Sequence, residues 1–158
     1  MSDTRIAQLE GAVSLALIIG ALLFQYVGHY PPCEMCHWQR WPHIVCAVIG
    51  LGGGLLSAAG ILPARLSPAI AALAVLAIAV SSGLGVFHAG VEWHFWPGPT
   101  ACTTGFHMEP GQTIDWNAPV PHCDIAAWRL FGISMAGYNA IISLGAAAFG
   151  ALMLVRKK

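Results

Sequence analysis

The cysteines are the residues of this chain whose type and spacing suit chemistry. Cys33 and Cys36 form a C-x-x-C pair, and Cys102 and Cys123 stand further on with 20 residues between them. Pro31 and Pro32 precede Cys33, and a long apolar segment opens shortly after Cys36. The pair therefore sits near a predicted helix N-terminus, where unpaired N–H groups stabilise a thiolate. Arg40 follows Cys36 by one helical turn and shares its face. A C-x-x-C disulfide closes a small ring, which makes it strained and readily reduced. These features suit an exchanging pair better than a permanent staple.

Cys102 and Cys123 have the opposite setting. Pro97, Gly98, Pro99, Gly105, Pro110 and Gly111 punctuate their stretch of chain. A disulfide there is expected to face water and to lie open to an external thiolate. Two pairs on one side of a membrane suggest a relay: a partner thiolate attacks one disulfide, and exchange passes the electrons to the other. Cys46, ten residues beyond Cys36, is expected to behave as a small buried hydrophobe.

The elements that must position these residues are apolar. The 158-residue chain is 57% hydrophobic and 9% charged, against about 25% charged in soluble domains. Its net charge is zero, which leaves no basic surface for nucleic acid. Four runs lack Asp, Glu, Lys and Arg altogether: 11–33, 41–64, 66–91 and 130–155. Each exceeds the roughly 20 apolar residues that a spanning helix needs. The predicted spans are Gly11–Gly28, Pro42–Gly60, Pro68–Phe87 and Ile133–Val155, without the polar stripe of a soluble bundle. No small-residue cleavage site follows the first run, which reads as a span and not as a signal peptide. The expected fold is an all-α, integral-membrane four-helix bundle with two outward-facing loops, about 29–41 and 88–132.

Lys and Arg set the orientation. Arg5, Arg65, Arg156, Lys157 and Lys158 fall at the termini and the turn between the second and third spans. Both termini are thus expected in the cytoplasm, with both cysteine loops outside. Trp93, Phe95, Trp96, Trp116, Trp128 and Phe131 should lie at the membrane surface, and Asp124–Phe131 is expected as a short interfacial helix. No strand is predicted. Gly50, Gly52, Gly53 and Gly54 should permit close helix packing.

A relay needs a final acceptor. No G-x-G-x-x-G fingerprint appears, whereas a lipid-soluble quinone suits an active pair at the membrane border. Arg40, Gln39, His37 and His88 are the candidates to hydrogen-bond its carbonyl oxygens. Arg40 on the outer side runs against the positive-inside preference, which favours a functional role.

Two other chemistries compete for the same residues. Cys33-Glu34-Met35-Cys36-His37 matches C-x-x-C-H, the attachment signature of c-type haem, with His37 and Met108 or another histidine as axial ligands. A haem-bearing electron carrier leaves Cys102, Cys123 and Arg40 without a role. A zinc or copper site lacks a second closely spaced ligand pair, although His88 and Glu92 share a helical face. His29, His43, His94, His107 and His122 read as interfacial or solvated.

The segment Pro32-Cys33-Glu34-Met35-Cys36-His37-Trp38-Gln39-Arg40 resembles the first outer loop of the DsbB family, the bacterial inner-membrane disulfide bond formation proteins. Cys123-Asp124-Ile125-Ala126-Ala127-Trp128-Arg129-Leu130-Phe131-Gly132-Ile133-Ser134-Met135 is similar to that family's entry into its fourth span. Pro97-Gly98-Pro99-Thr100-Ala101-Cys102 resembles the approach to the first cysteine of its long loop. The order of spans and cysteine pairs agrees over nearly the whole chain. The resemblance implies a thiol oxidase of the inner membrane that re-oxidises a soluble, periplasmic DsbA-like partner of thioredoxin fold. It implies that the partner attacks Cys102, that Cys123 leaves and attacks Cys33, and that Cys36 is released beside the quinone, near Arg40. The acceptor would be ubiquinone or menaquinone from the membrane pool, and His88 resembles a family histidine near it.

Overall fold

A computed structural model of the chain describes residues 1–103 and 122–156. Four helices are long and apolar enough to cross a membrane: Asp3–Tyr26, Glu34–Ala58, Ala64–Glu92 and Met135–Val155. The first is α1 (Asp3–Tyr26). The second is α2 (Glu34–Ala47), which runs through a π-helical stretch, Val48–Gly53, into α3 (Gly54–Ala58). The third is α4 (Ser67–Glu92), entered by a short 3-10 turn over Ala64–Leu66. A four-residue turn, α5 (Thr100–Thr103), and a ribbon of β1 (Arg129–Leu130) and β2 (Ile133–Ser134) precede the last helix, α6 (Met135–Val155). The all-α membrane bundle expected from the sequence is the fold found.

Local chemistry sets the helix starts. Ser2 caps α1 by accepting from the Arg5 amide at 3.3 Å. Ser134 caps α6 through the Gly137 amide at 3.1 Å. Pro42 lies inside α2 and can donate no backbone hydrogen bond.

α4 packs on α1, α2 and α6. Its inward face carries small or polar side chains, Ala71, Ala74, Ser81, Ser82 and Gly85 among them, while Leu73, Leu76 and Val80 point outward and are exposed. That division suits a lipid surround, in which small residues let helices approach closely. α1 meets the π-helical stretch almost backbone to backbone: a Cβ on Gly50 would collide with the Ala7 carbonyl oxygen, and one on Gly11 would sit 2.6 Å from the Leu51 nitrogen. Cys46 is fully buried and donates its S–H to the Ala74 carbonyl at 3.3 Å. Glu10 is also fully buried, and neither carboxyl oxygen has a hydrogen-bond partner among the described residues. It faces Gly150 of α6, where a Cβ would strike Oε1.

Three details of the second loop differ from expectation. α4 continues to Glu92, so residues 88–92 are helix and not loop. His88 and Glu92 are buried there against the neighbouring elements, and their contacts extend the helix beyond its apolar run. Asp124–Phe131 is irregular and ends in a ribbon, not in an interfacial helix. Cys123 ties one end of it to Cys102. At the other end Arg129 pairs with Ser134 and Leu130 with Ile133, around a two-residue turn with positive φ at Phe131 (50°) and Gly132 (81°). Trp128 packs on Phe24 with ring centroids 4.9 Å apart, holding this segment over the end of α1. The stretch 104–121, which carries His107, Met108 and Trp116, lies outside the described residues.

Candidate active site

Cys33 is the N-cap of α2. Its sulfur accepts from the Cys36 amide at 3.2 Å, which is the expected place at a helix start. One turn on, Cys36 Sγ lies 2.7 Å from Cys33 Sγ, and both thiols are free. Cys33 is buried. The S–H hydrogen bond it gives Cys36 pushes its pKa up, and burial adds to the effect.

Cys102 and Cys123 are joined as a disulfide, with Cα atoms 5.5 Å apart. The bridge is not presented to water as the loop composition suggested. Cys102 is 7% exposed and Cys123 is fully buried. Both pack with Cys33, Met35 and Val91 in one apolar cluster. Burial of this greasy group outweighs the polar character of the loop around it. As a result the sulfurs of Cys33, Cys102 and Cys123 all lie within 4.8 Å of one another, as do Cys33 Sγ, Cys36 Sγ and a ring nitrogen of His88.

His88 joins the two pairs. Its Nε2 is 3.6 Å from Cys33 Sγ and 3.8 Å from Glu92 Oε1, and its ring also meets the Cys123 backbone. Gln39 Nε2 donates to Nδ1 of His88 at 2.7 Å. Arg40 is held by its Nη1 donating to Gln25 Oε1 of α1 at 2.7 Å. His37, by contrast, is exposed and does not line the site. One residue past Cys36, it is turned about 100° around the helix and stands apart from Gln39, Arg40 and His88. The same geometry weighs against haem attachment, because the cysteines face into the bundle and His37 faces away.

A cavity of about 670 Å³ opens beside Cys36. Cys33, Cys36, Gln39, Arg40, His88 and Glu92 line its head, and Leu17, Gly20, Ala21 and Ile142 continue it as an apolar cleft between α1 and α6. Two lining residues were missed by the sequence reading. His43 was read as interfacial or solvated. It is buried, with Nδ1 3.1 Å from Ser14 Oγ and Nε2 2.8 Å from Asn139 Oδ1. Asn139 donates from Nδ2 to Gln39 Oε1 at 2.7 Å. The available signal was an amide in the middle of an uncharged spanning segment, a placement that is costly without a partner.

Comparison with known proteins agrees with this geometry. The family described as "Disulfide bond formation protein DsbB" matches residues 3–153. Disulfide bond formation protein B of Dechloromonas aromatica is 28% identical over 162 residues, covering 93% of this chain and 89% of that protein. The protein of the same name from Burkholderia thailandensis is 38% identical over 91 residues, covering 57% of this chain and half of its own length. An uncharacterized protein of Rickettsia prowazekii is 24% identical over 152 residues, 92% of this chain and 84% of that one. No solved structure matches the chain. Two cysteine pairs meeting at one end of a four-helix membrane bundle, with this match along nearly the whole length, make the chain a member of the DsbB family of disulfide bond formation proteins.

Proposed function

We propose that this chain re-oxidises a periplasmic DsbA-like thiol oxidoreductase and delivers the electrons to membrane quinone, ubiquinone or menaquinone. The observation that carries the reading is the convergence of Cys33 with Cys102 and Cys123, all three sulfurs within 4.8 Å. Exchange between the pairs then needs little movement of the sulfurs.

In the cycle a partner thiolate attacks Cys102. A partner–Cys102 disulfide forms, and Cys123 leaves as a thiolate. Cys123 attacks Cys33 of an oxidised Cys33–Cys36 pair and releases Cys36. The partner's second thiolate resolves its own mixed disulfide and frees Cys102, which attacks Cys123 and releases Cys33. The partner has lost two electrons and two protons, and Cys33 and Cys36 hold them as thiols. An outer disulfide beside two free inner thiols, the pairing found here, is the state expected at this point. Burial of the outer bridge means that Cys102 must lift from Met35 and Val91 before a partner reaches it.

The cavity fits a quinone. Polar groups cluster at its head beside Cys36, and apolar walls of α1 and α6 suit an isoprenoid tail. Arg40 and Gln39 would hold the head group, and a bound quinone supplies the two-electron acceptor that restores the Cys33–Cys36 disulfide. The termini are assigned to the cytoplasm and both cysteine loops to the periplasm by the placement of Lys and Arg.

The test is oxidation of a reduced thioredoxin-fold dithiol protein by membranes containing each variant. Cys36→Ser and Cys102→Ser should each abolish quinone-dependent oxidation. Intact turnover in either one overturns the relay.

A further inference from the structure

A file of buried polar groups runs from the membrane interior to Cys33, and its polarity can be read from two backbone carbonyls. Gln39 Nε2 lies 3.3 Å from the Met35 carbonyl oxygen and 2.7 Å from His88 Nδ1. A carbonyl only accepts, so this end of the amide bears the hydrogens and Oε1 points the other way. Asn139 Nδ2 meets that Oε1 at 2.7 Å and also the Ser81 carbonyl at 3.4 Å, which fixes the second amide by the same logic. Asn139 Oδ1 accepts from the Ser143 hydroxyl and from His43 Nε2, each at 2.8 Å. His43 then takes the Ser14 hydroxyl hydrogen on Nδ1 at 3.1 Å.

Every bond in the file donates in one direction. Ser14 donates to His43, His43 to Asn139, Asn139 to Gln39 and Gln39 to His88. A neutral imidazole carries one N–H, and with Nδ1 occupied as an acceptor it must sit on Nε2. Nε2 is the nitrogen that faces Cys33 Sγ at 3.6 Å.

We propose that Asn139 is a positioning residue for the Cys33–Cys36 pair. Acting through Gln39, it holds His88 in the Nε2–H form, so that the N–H it shares with the Cys123 backbone stays on the side of the sulfur released in exchange. Gln39 thereby gains a task separate from any contact with quinone. The proposal rests on the thiol-oxidase reading only in taking Cys33–Cys36 as an exchanging pair. A donor at Cys33 stabilises its reduced form more than its disulfide, because a thiol or thiolate sulfur is the better acceptor. Loss of the lock should therefore move the inner pair toward disulfide.

The experiment uses full-length protein in detergent, with ¹⁵N-labelled histidine and glutathione buffers of set ratio. Asn139→Leu should move the His88 ring-nitrogen shifts from the pure Nε2–H pattern to a mixture of tautomers. The dithiol–disulfide equilibrium of Cys33–Cys36 should shift toward disulfide by about threefold to tenfold. Ser143→Ala removes a bond to Asn139 Oδ1 but spares its donor side, and should leave both readouts at wild-type values. Unchanged readouts in Asn139→Leu overturn the proposal. So does a Ser143→Ala shift of equal size, because simple loss of packing would then explain both. Should Asn139→Leu fail to accumulate, Asn139→Ala breaks the same link and is held to the same outcomes. A wild-type inner pair that never exchanges with glutathione would instead overturn the thiol-oxidase reading, while the His88 nitrogen shifts still decide the role of Asn139.

Discussion

His88 Nε2 stands 3.6 Å from Cys33 Sγ, although the two residues are 55 positions apart in the chain and sit on different helices. The same sulfur accepts from its own helix's Cys36 amide at 3.2 Å. Replacing His88 with alanine removes the ring N–H from the sulfur and leaves the amide in place. His88→Ala should slow reduction of the inner pair by the outer one by about tenfold, the range of one hydrogen bond to a charged group. Rapid acid quench and thiol alkylation would follow it.

Arg40 is tied to α1 through Gln25 while it lines the cavity head. A lysine offers a compact ammonium in place of a fork of donors and cannot easily serve both. Arg40→Lys should raise the apparent KM for quinone by about tenfold and leave thiol exchange between the loops unchanged. A steady-state quinone titration beside a quinone-free exchange assay separates the two effects.

Gly50 touches the Ala7 carbonyl across the α1 contact, and a methyl group there has nowhere to go. Gly50→Ala should destabilise the bundle by about 2 kcal/mol or more by forcing the helices apart. A thermal melt in detergent reads this directly. Gly52→Ala is the control, because nothing lies within 4 Å of its added carbon.

Glu10 is sealed in the bundle with both oxygens unpartnered among the described residues. Burying such a group costs free energy that an apolar side chain of similar size does not. Glu10→Leu should therefore raise the melting midpoint, with a gain of about 1–3 kcal/mol. A fall in the midpoint would mean that the carboxyl has a partner within the membrane.

Much of this was legible in the sequence. Charge-free runs located the four helices, because hydrocarbon tolerates little else. Cys33 at a helix start followed from two prolines and the apolar run behind them. What local reading could not supply was convergence. Nothing near Cys102 says that its bridge buries itself against Met35 and Val91, since that depends on three elements meeting. His37 and His88 illustrate the same limit. The first is adjacent to Cys36 in sequence and turned away from it, while the second is distant and lies against Cys33. His43 and Asn139 were hidden for a related reason. Their polarity matters only because each finds the other across α2 and α6.

Cys33 Sγ is at once the group that terminates α2 and the atom that changes bonding partner. The first turn of a membrane helix thus shares an atom with the electron carrier. Whenever that sulfur turns toward Cys123, the Cys36 amide loses its acceptor. The redox state is thereby written into the backbone, and hydrogen exchange at one amide could follow catalysis without a dye or a label.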